Sequence, residues 1–397
     1  MPERNVYLDN AATTPLDPAV LEEMMPYFCD VFGNASSQHA YGRRAVAAVD
    51  LARERVANAI GADIGEVYFT SGGTESDNWA IRGAVKANAW KGKHIVTSAV
   101  EHHAVLNTMH ALEKDGYEIT YLPVNDKGRV SVEDAVRAMR KDTILVSVML
   151  ANNEVGTIEP VREIALAARE KGILMHTDAV QAIGLLPVKV KDLCVDLLTI
   201  SGHKFYGPKG VGALYAGKGV KIDKILTGGA QERTMRGGTY NTPAIVGMGK
   251  AIELAEEARE ANVNYIRSLR DRFLSEVFEK IEGVCLNGAE GTDRLPNNAN
   301  LSFEYVKGET LLQMLDRVGV AASAGSACSS GTVEVSHVLQ AMSVSMEQAT
   351  GAVRFSFGKG NTIEDVEYTV DALVKAVTKS RRSKDLFMQE PTSTSEV

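Results

Sequence analysis

The sequence predicts an α/β protein with a mostly parallel central sheet and a second, smaller α+β domain. The first observation is length, because 397 residues exceed what one ordinary hydrophobic core holds. The second is that short apolar and β-branched runs alternate with stretches of helical periodicity. The third is that a polar cluster follows each of these runs. Such a pattern is typical of parallel strands joined by right-handed helical crossovers.

Five runs predict the strands, and they are continuously apolar, as strands covered by helices on both faces are. They comprise residues 67–70, 95–97, 144–150, 173–175 and 197–200. The polar clusters that follow them comprise residues 71–74, 101–103, 152–154, 178–181 and 201–204. Ligands of open α/β sheets bind beyond the carboxyl ends of the strands. We therefore expect the five clusters to meet in one cleft.

The pattern changes near residue 251. Residues 251–280 are amphipathic and rich in Glu, Arg and Ala, which predicts one or two helices, and strand-like segments follow at 300–303 and 353–357. We expect a large domain over residues 15–255 and a small domain made of residues 1–14 and 256–380. The polar residues 381–397 are expected to form a flexible tail.

Composition excludes several function classes. The net charge of −8 argues against a nucleic-acid-binding surface. No apolar run approaches the roughly 18 residues that span a bilayer, and no signal peptide is evident, so we expect a cytoplasmic protein without membrane contact. The four cysteines, Cys29, Cys194, Cys285 and Cys328, form no CxxC pair, so neither a zinc site nor a disulfide framework is expected.

Lys204 and Asp178 are the first candidate catalytic pair. Lys204 follows a predicted buried strand, where its amine could form a Schiff base with an aldehyde cofactor. Asp178 follows another strand, and a carboxylate there could keep the nitrogen of a pyridine ring protonated, as pyridoxal phosphate (PLP) chemistry requires. Gln181 lies three residues further on and could face the same side.

The other clusters offer groups for a phosphate, a ring and a substrate. Gly73 and Thr74 lie in a Gly-rich turn that leads into a helix, an arrangement that binds phosphate, and Ser201 and His203 could add hydrogen bonds. The remaining candidates are His102 for ring stacking or proton transfer, Asn153 for a substrate or cofactor oxygen, and Arg354 for a bidentate grip on a carboxylate.

Cys328 differs from the other three cysteines in its surroundings. It lies within Ala-Ser-Ala-Gly-Ser-Ala-Cys-Ser-Ser-Gly-Thr, a run of tiny residues that predicts a mobile, exposed loop. A reactive thiol needs such access, so Cys328 is the candidate nucleophile.

Together these residues resemble the cysteine desulfurases of the NifS/IscS type, within the class V aminotransferase group of PLP enzymes. The resemblance runs from Tyr7 to about Thr362. It rests on Phe-Gly-Asn at 32–34, Thr-Ser-Gly-Gly-Thr-Glu-Ser at 70–76, His-Thr-Asp-Ala-Val-Gln at 176–181, Ser-Gly-His-Lys at 201–204, Arg-Gly-Gly-Thr at 236–239 and Gly-Ser-Ala-Cys at 325–328.

The resemblance implies the PLP fold-type I architecture, a homodimer and a set of residue roles. Lys204 would bond to the cofactor and then act as a base, while Cys328 would carry a persulfide. The remaining roles would be Asp178 at the pyridine nitrogen, Gln181 at the ring hydroxyl, His102 stacked on the ring, Thr74, Ser201 and His203 at the phosphate, Thr239 at the phosphate of the other subunit, and Asn34, Asn153 and Arg354 at the substrate.

The expected activity converts L-cysteine into L-alanine and a persulfide on Cys328, whose sulfur passes to an iron–sulfur scaffold protein or another acceptor. No metal site is expected, apart from a possible transient contact of Cys328 with a cluster. Three alternatives stay open at this stage. They are a selenocysteine lyase or other class V PLP enzyme, a non-catalytic sulfur-relay protein, and an unrelated α/β binding protein.

Overall fold

The computed structural model describes residues 4–324 and 335–388 of the chain. Its strands are β1 (Val6–Tyr7), β2 (Val67–Thr70), β3 (His94–Ser98), β4 (Glu118–Leu122), β5 (Thr143–Ser147), β6 (Leu174–Asp178), β7 (Leu197–Ser201), β8 (Gly212–Ala216), β9 (Val284–Leu286), β10 (Asn298–Phe303), β11 (Val320–Ala321) and β12 (Ala352–Ser356). Its helices are α1 (Pro18–Met24), α2 (Pro26–Cys29), α3 (Ala40–Ile60), α4 (Gly73–Asn88), α5 (His103–Lys114), α6 (Val132–Ala138), α7 (Val161–Glu170), α8 (Val190–Leu193), α9 (Thr242–Glu257), α10 (Arg259–Lys280), α11 (Gly308–Asp316), α12 (His337–Ala341), α13 (Met346–Thr350) and α14 (Ile363–Met388).

The central sheet has seven strands in the order β2-β8-β7-β6-β5-β3-β4. Strand β8 is antiparallel to both of its neighbours, and the other pairings are parallel. The predicted mostly parallel α/β sheet is therefore confirmed. All five predicted strands are present, while β4 and β8 were not predicted. Strand β4 is a half-exposed edge strand, so it lacks the continuous apolar run that marked the others.

Helices cover both faces of this sheet. One face packs against α3, α7 and α9 through side chains such as Leu198 and Ile200. The opposite face packs against α4 and α5 through Leu197 and Leu214. Successive residues of β7 point to opposite faces, and both faces are buried, which explains why that segment is apolar throughout.

A second core lies around the antiparallel sheet β12-β10-β9 and helices α10, α11 and α14. The N-terminal segment joins this core, because β1 pairs with β11 and both Val6 and Leu8 are buried in it. Helix α14 continues to Met388, into the segment that was expected to be a tail from residue 381. Arg381 extends the contacts of the helix, since its guanidinium donates hydrogen bonds to the carbonyls of Glu282 and Glu304. None of the described helices is long and apolar enough to cross a membrane.

Candidate active site

Ten of the predicted site residues line one cavity of about 450 Å³ beyond the carboxyl ends of the central strands. They are Gly73, Thr74, His102, Asn153, Asp178, Gln181, Ser201, His203, Lys204 and Arg354. The polar clusters after β2, β3, β5, β6 and β7 thus converge, as the order of strands and helices predicted. Arg354, on β12, closes the cavity from the side of the second core.

Lys204 lies in a short turn that directly follows β7. Its Nζ donates hydrogen bonds to the carbonyl oxygens of Ala11, at 2.6 Å, and Ala12, at 2.7 Å. Burial lowers the pKa of the amine to about 8, and the Arg354 cation contributes in the same direction, while Asp178 opposes the shift. The amine is therefore held in the cavity in a form that readily gives up its proton.

Asp178 is the last residue of β6 and is 6% exposed. Its Oδ1 accepts a hydrogen bond of 2.8 Å from the backbone N–H of Val180. Burial raises the pKa of this carboxyl to about 6, although the Val180 N–H and the Lys204 cation favour the anion. Gln181 is held nearby, because its Nε2 donates to the carbonyl of Ala11 at 3.0 Å.

The N-terminus of α4 forms a cradle of backbone and hydroxyl groups. Helix α4 begins at Gly73, after Gly72, whose φ of +152° favours glycine. A Cβ on Gly73 would lie 3.0 Å from Val180 Cγ2 and 3.5 Å from Ser201 Cβ, so a side chain here would fit tightly and would occupy this corner of the cavity. Unpaired N–H groups at a helix start attract anions, and Thr74 and Ser201 add hydroxyl groups.

His102 and His203, the two histidines that the sequence placed in the site, are neutral near pH 7. Burial lowers the pKa of His203 to about 4, and nearby lysines contribute, while its Nδ1 lies 3.1 Å from Thr13 Oγ1. Burial also lowers the pKa of His102 to about 4, with the Lys204 cation contributing, although part of the residue is exposed and lines the cavity. The His102 Nδ1 accepts a 3.1 Å bond from Ala104 N–H, which places its ring proton on Nε2.

Arg354 is 4% exposed and is held by two contacts. Its Nη1 donates to the Asn153 carbonyl at 2.8 Å, and its Nη2 donates to Asp9 Oδ1 at 2.9 Å. Its buried Nε has no hydrogen-bond partner among the described residues. This guanidinium therefore carries donor capacity that the described protein groups leave unused.

Three predicted site residues are not among those that line the cavity. Asn34 is exposed, and its Oδ1 accepts a bond from Ser36 N–H. Thr239 is exposed in another depression, beside Ser71 and Arg236. Cys328 lies outside the described residues. Among the described cysteines, Cys29 is exposed and Cys194 and Cys285 are half-buried. Within the described part of the chain, no group of His, Cys, Asp and Glu could hold a metal ion.

The cavity also contains residues to which the sequence analysis gave no individual role, notably Asp9, Asp77 and His103. Asp9 lies within Tyr-Leu-Asp-Asn-Ala-Ala-Thr-Thr at residues 7–14, where the resemblance begins, and this segment was the available signal for it. Asp77 lies inside α4, where an acidic residue usually faces water, but it is 1% exposed. Its Oδ1 is buried without a hydrogen-bond partner among the described residues.

This set of groups fits pyridoxal phosphate. An amine with a lowered pKa suits the aldehyde, and the start of α4 with its hydroxyl groups suits the phosphate. Two buried carboxyl groups, Asp77 and Asp178, line the cavity, and Asp178, whose anion is favoured by the Val180 N–H and the Lys204 cation, suits the protonated ring nitrogen.

Comparison with known proteins agrees with this site. The family model for aminotransferase class V, whose members in general use PLP, matches residues 6–369. "Cysteine desulfurase IscS" of Dictyoglomus turgidum is 54% identical over 96% of this chain and 96% of its own. The solved structure titled "NIFS-LIKE PROTEIN" has a TM-score of 0.89 and 38% identity, covering 95% of this chain and 100% of its own.

A further solved structure, titled "SspA in complex with cysteine", has a TM-score of 0.80 and 35% identity over 90% of this chain and 100% of its own. Identities of this size over nearly the full length, together with the converging cavity residues, favour none of the alternatives that the sequence left open. The chain belongs to the class V aminotransferase family and, within it, to the cysteine desulfurases of the NifS/IscS type.

Proposed function

We propose that the protein removes sulfur from L-cysteine with PLP held by Lys204 and passes the sulfur to Cys328. The observation that carries the proposal is the pairing of a lysine amine of lowered pKa with a buried carboxylate in one cavity. The solved relative whose title names a complex with cysteine supports L-cysteine as the substrate.

Each residue that holds the cofactor is supported by its place in the cavity. When bound, PLP supplies an electron sink that stabilises negative charge on the substrate carbon next to the amino group. Asp178 would hold the protonated ring nitrogen with its carboxylate, and Gln181 would bind the ring hydroxyl. Neutral His102 can lie against the ring without repelling a cation. The phosphate is held by Gly73, Thr74, Ser201 and His203.

Arg354 and Lys204 act on the substrate. The Arg354 guanidinium is positioned by Asp9 and the Asn153 carbonyl, and each Nη keeps a second N–H that can serve the substrate carboxylate in the cavity that Arg354 lines. Asn153, which lines the cavity, contributes its amide group to the same recognition, and the resemblance assigns Asn34 to it as well. Since the pKa of Lys204 is about 8, a substantial fraction of its amine is neutral near pH 8 and can accept the substrate Cα proton.

Cys328 takes the sulfur atom. Its thiol reacts with L-cysteine so that the substrate C–S bond breaks and a new S–S bond forms, which yields L-alanine and a Cys328 persulfide. Atoms and electrons balance without an added oxidant or reductant. An acceptor, such as an iron–sulfur scaffold protein, then removes the outer sulfur by thiol exchange chemistry.

A homodimer completes the site. Exposed apolar side chains concentrated within residues 21–41 support it, and this apolar patch comprises Leu21, Met25, Phe28, Phe32 and Tyr41, with the Phe32 and Tyr41 rings in contact. Soluble monomers rarely expose so many large apolar side chains within one short segment. Thr239, which is exposed and lies outside the cavity of its own chain, is then available to the phosphate in the partner subunit.

The test is an assay of the purified protein loaded with PLP. We expect visible absorbance that requires Lys204, release of L-alanine and sulfide from L-cysteine, and a protein mass increased by one sulfur atom. Cys328→Ser should lose the added sulfur and at least about 99% of alanine formation, because the nucleophile is absent.

The matched control is Cys29→Ser, which removes an exposed thiol elsewhere in the chain and should leave alanine formation unchanged. Full alanine formation by Cys328→Ser would refute the assigned acceptor. If the protein released selenide from selenocysteine but no sulfide from cysteine, it would instead be a selenocysteine lyase.

A further inference from the structure

Asp77 is a buried carboxyl group that the proposed reaction leaves without a role. It enters the cavity from α4, while Asp178 enters it from β6, and the two side chains belong to residues that are 1% and 6% exposed. Two carboxylates in such a site repel each other, so ionisation of both is unfavourable. Their surroundings decide which one keeps a proton.

Asp178 has the partners of an anion. The Val180 N–H donates to it at 2.8 Å, and the Lys204 cation stabilises its charge. Asp77 has neither. Its Oδ1 has no hydrogen-bond partner in the described part of the chain, and the closest basic group, His176 Nε2, lies 3.7 Å away.

His176 cannot supply a compensating charge to Asp77. This histidine is fully buried, and burial lowers its pKa to about 3, so the ring is neutral. Its ring nitrogens contact two hydroxyl groups, with Nδ1 2.8 Å from Ser147 Oγ and Nε2 3.1 Å from Thr199 Oγ1. The chain Ser147–His176–Thr199 is therefore a neutral polar network that ends beside Asp77.

We infer that Asp77 is a positioning residue that keeps its proton at neutral pH and, as a neutral polar group, leaves the negative charge of the pair on Asp178. The pKa of Asp77 supports this, since burial raises it first and the charge of Asp178 raises it further, with Glu101 adding to the shift and Thr199 opposing it. The role in catalysis rests on the proposed function, which places the ring nitrogen opposite Asp178.

The inference makes opposite predictions for two variants of similar size. Asp77→Asn keeps a neutral polar group at this position. The dissociation constant for PLP should therefore stay within about twofold of the wild-type value, and the absorbance maximum of the bound cofactor should not shift. Asp77→Leu removes polar support from the Asp178 anion, which raises the pKa of Asp178 by about one unit and weakens PLP binding about tenfold near neutral pH.

Infrared spectroscopy of the folded protein provides a direct readout that does not depend on activity. The wild-type protein should show protonated carboxyl absorption at pH 7, and Asp77→Asn should lose one component of it. Glu159→Gln is the matched control. Glu159 is 3% exposed, has one unpartnered oxygen within the described residues, and has a pKa raised by burial to about 8, yet it does not line the cavity.

Glu159→Gln should lose a different infrared component and bind PLP as the wild type does. Equal loss of PLP affinity in Asp77→Asn and Asp77→Leu would show that Asp77 acts as an anion, and an unchanged carboxyl band in Asp77→Asn would show the same; either result would overturn the inference. Failure of the wild-type protein to bind PLP would refute the proposed function instead, while the infrared result for Asp77 would still stand.

Discussion

In the cavity, burial shifts the pKa values of the basic side chains, so residue type alone does not decide which of them carry a charge. Lys204 is partly neutral near pH 8, and His102 and His203 are uncharged at neutral pH. The clear ion pair at the cavity wall joins Arg354 to Asp9. A site arranged in this way can exchange protons at Lys204 while a fixed cation remains for a substrate carboxylate.

Arg354→Gln should raise the pKa of Lys204. After burial, the Arg354 cation is the largest influence that lowers this pKa, and its loss also frees Asp9, whose charge raises the pKa. We expect the midpoint of the pH dependence for the rate of PLP attachment to the cofactor-free protein to move upward by about one unit. Attachment near pH 8 should therefore be slower, because more of the amine is protonated.

The rate is measured from the absorbance change after PLP is added across a series of pH values. Arg137→Gln makes the same chemical change at an exposed position on α6 and should leave the midpoint in place. A midpoint for Arg354→Gln that is unchanged or lower would contradict the assigned electrostatic influence.

At the scale of secondary-structure elements, the sequence predicted the strands that have a continuous apolar run and did not predict the strands that lack one. Strands β5, β6 and β7 came from continuous apolar runs, and the polar residues after them lie in the cavity as expected. The edge strand β4 and the short strand β8, which contains Gly and Ala, lacked that signal. Asp77 was missed because a helical Asp usually faces water, and only the packing of α4 on the sheet shows its burial.

The start of α4 offers a test in which stability and binding should move apart. Gly73→Ala places a methyl group 3.0 Å from Val180 Cγ2 and beside Ser201, where the phosphate is proposed to bind. Since Ala favours a helix over Gly by up to about 1 kcal/mol, the thermal midpoint of the cofactor-free protein should not fall by more than the small cost of that contact. PLP affinity should fall about tenfold, which corresponds to about 1.4 kcal/mol.

Gly65→Ala is the control for this substitution, because a Cβ at Gly65 meets nothing within 4 Å. Equilibrium titration of each cofactor-free variant with PLP, followed by absorbance, gives the dissociation constants. Wild-type affinity in Gly73→Ala would place the phosphate elsewhere.

At the scale of the whole molecule, two cores enclose the site but do not account for every residue that the resemblance assigns to it. The packing around the central sheet supplies the strand ends and the start of α4, and the second core supplies Arg354 on β12. Asn34 and Thr239 are exposed, and the exposed apolar patch lies in the same stretch of chain as Asn34. Where Asn34 and Thr239 lie relative to a partner subunit depends on contacts between two folded surfaces. The apolar periodicity of a single sequence predicts helices and strands but does not predict such contacts.

Phe32→Asp should therefore weaken the proposed dimer. Phe32 is 66% exposed and its ring lies 5.4 Å from that of Tyr41, so a carboxylate there would be desolvated if the apolar patch is buried against a second copy. Light scattering after size-exclusion chromatography should give twice the chain mass for the wild type and a shift toward one chain mass for Phe32→Asp. Trp90→Asp alters an aromatic residue that is 77% exposed outside the patch and should remain dimeric. A wild-type mass of one chain, or equal masses for the two variants, would contradict the assigned surface, and retained PLP affinity in a monomeric Phe32→Asp would remove Thr239 from the phosphate site.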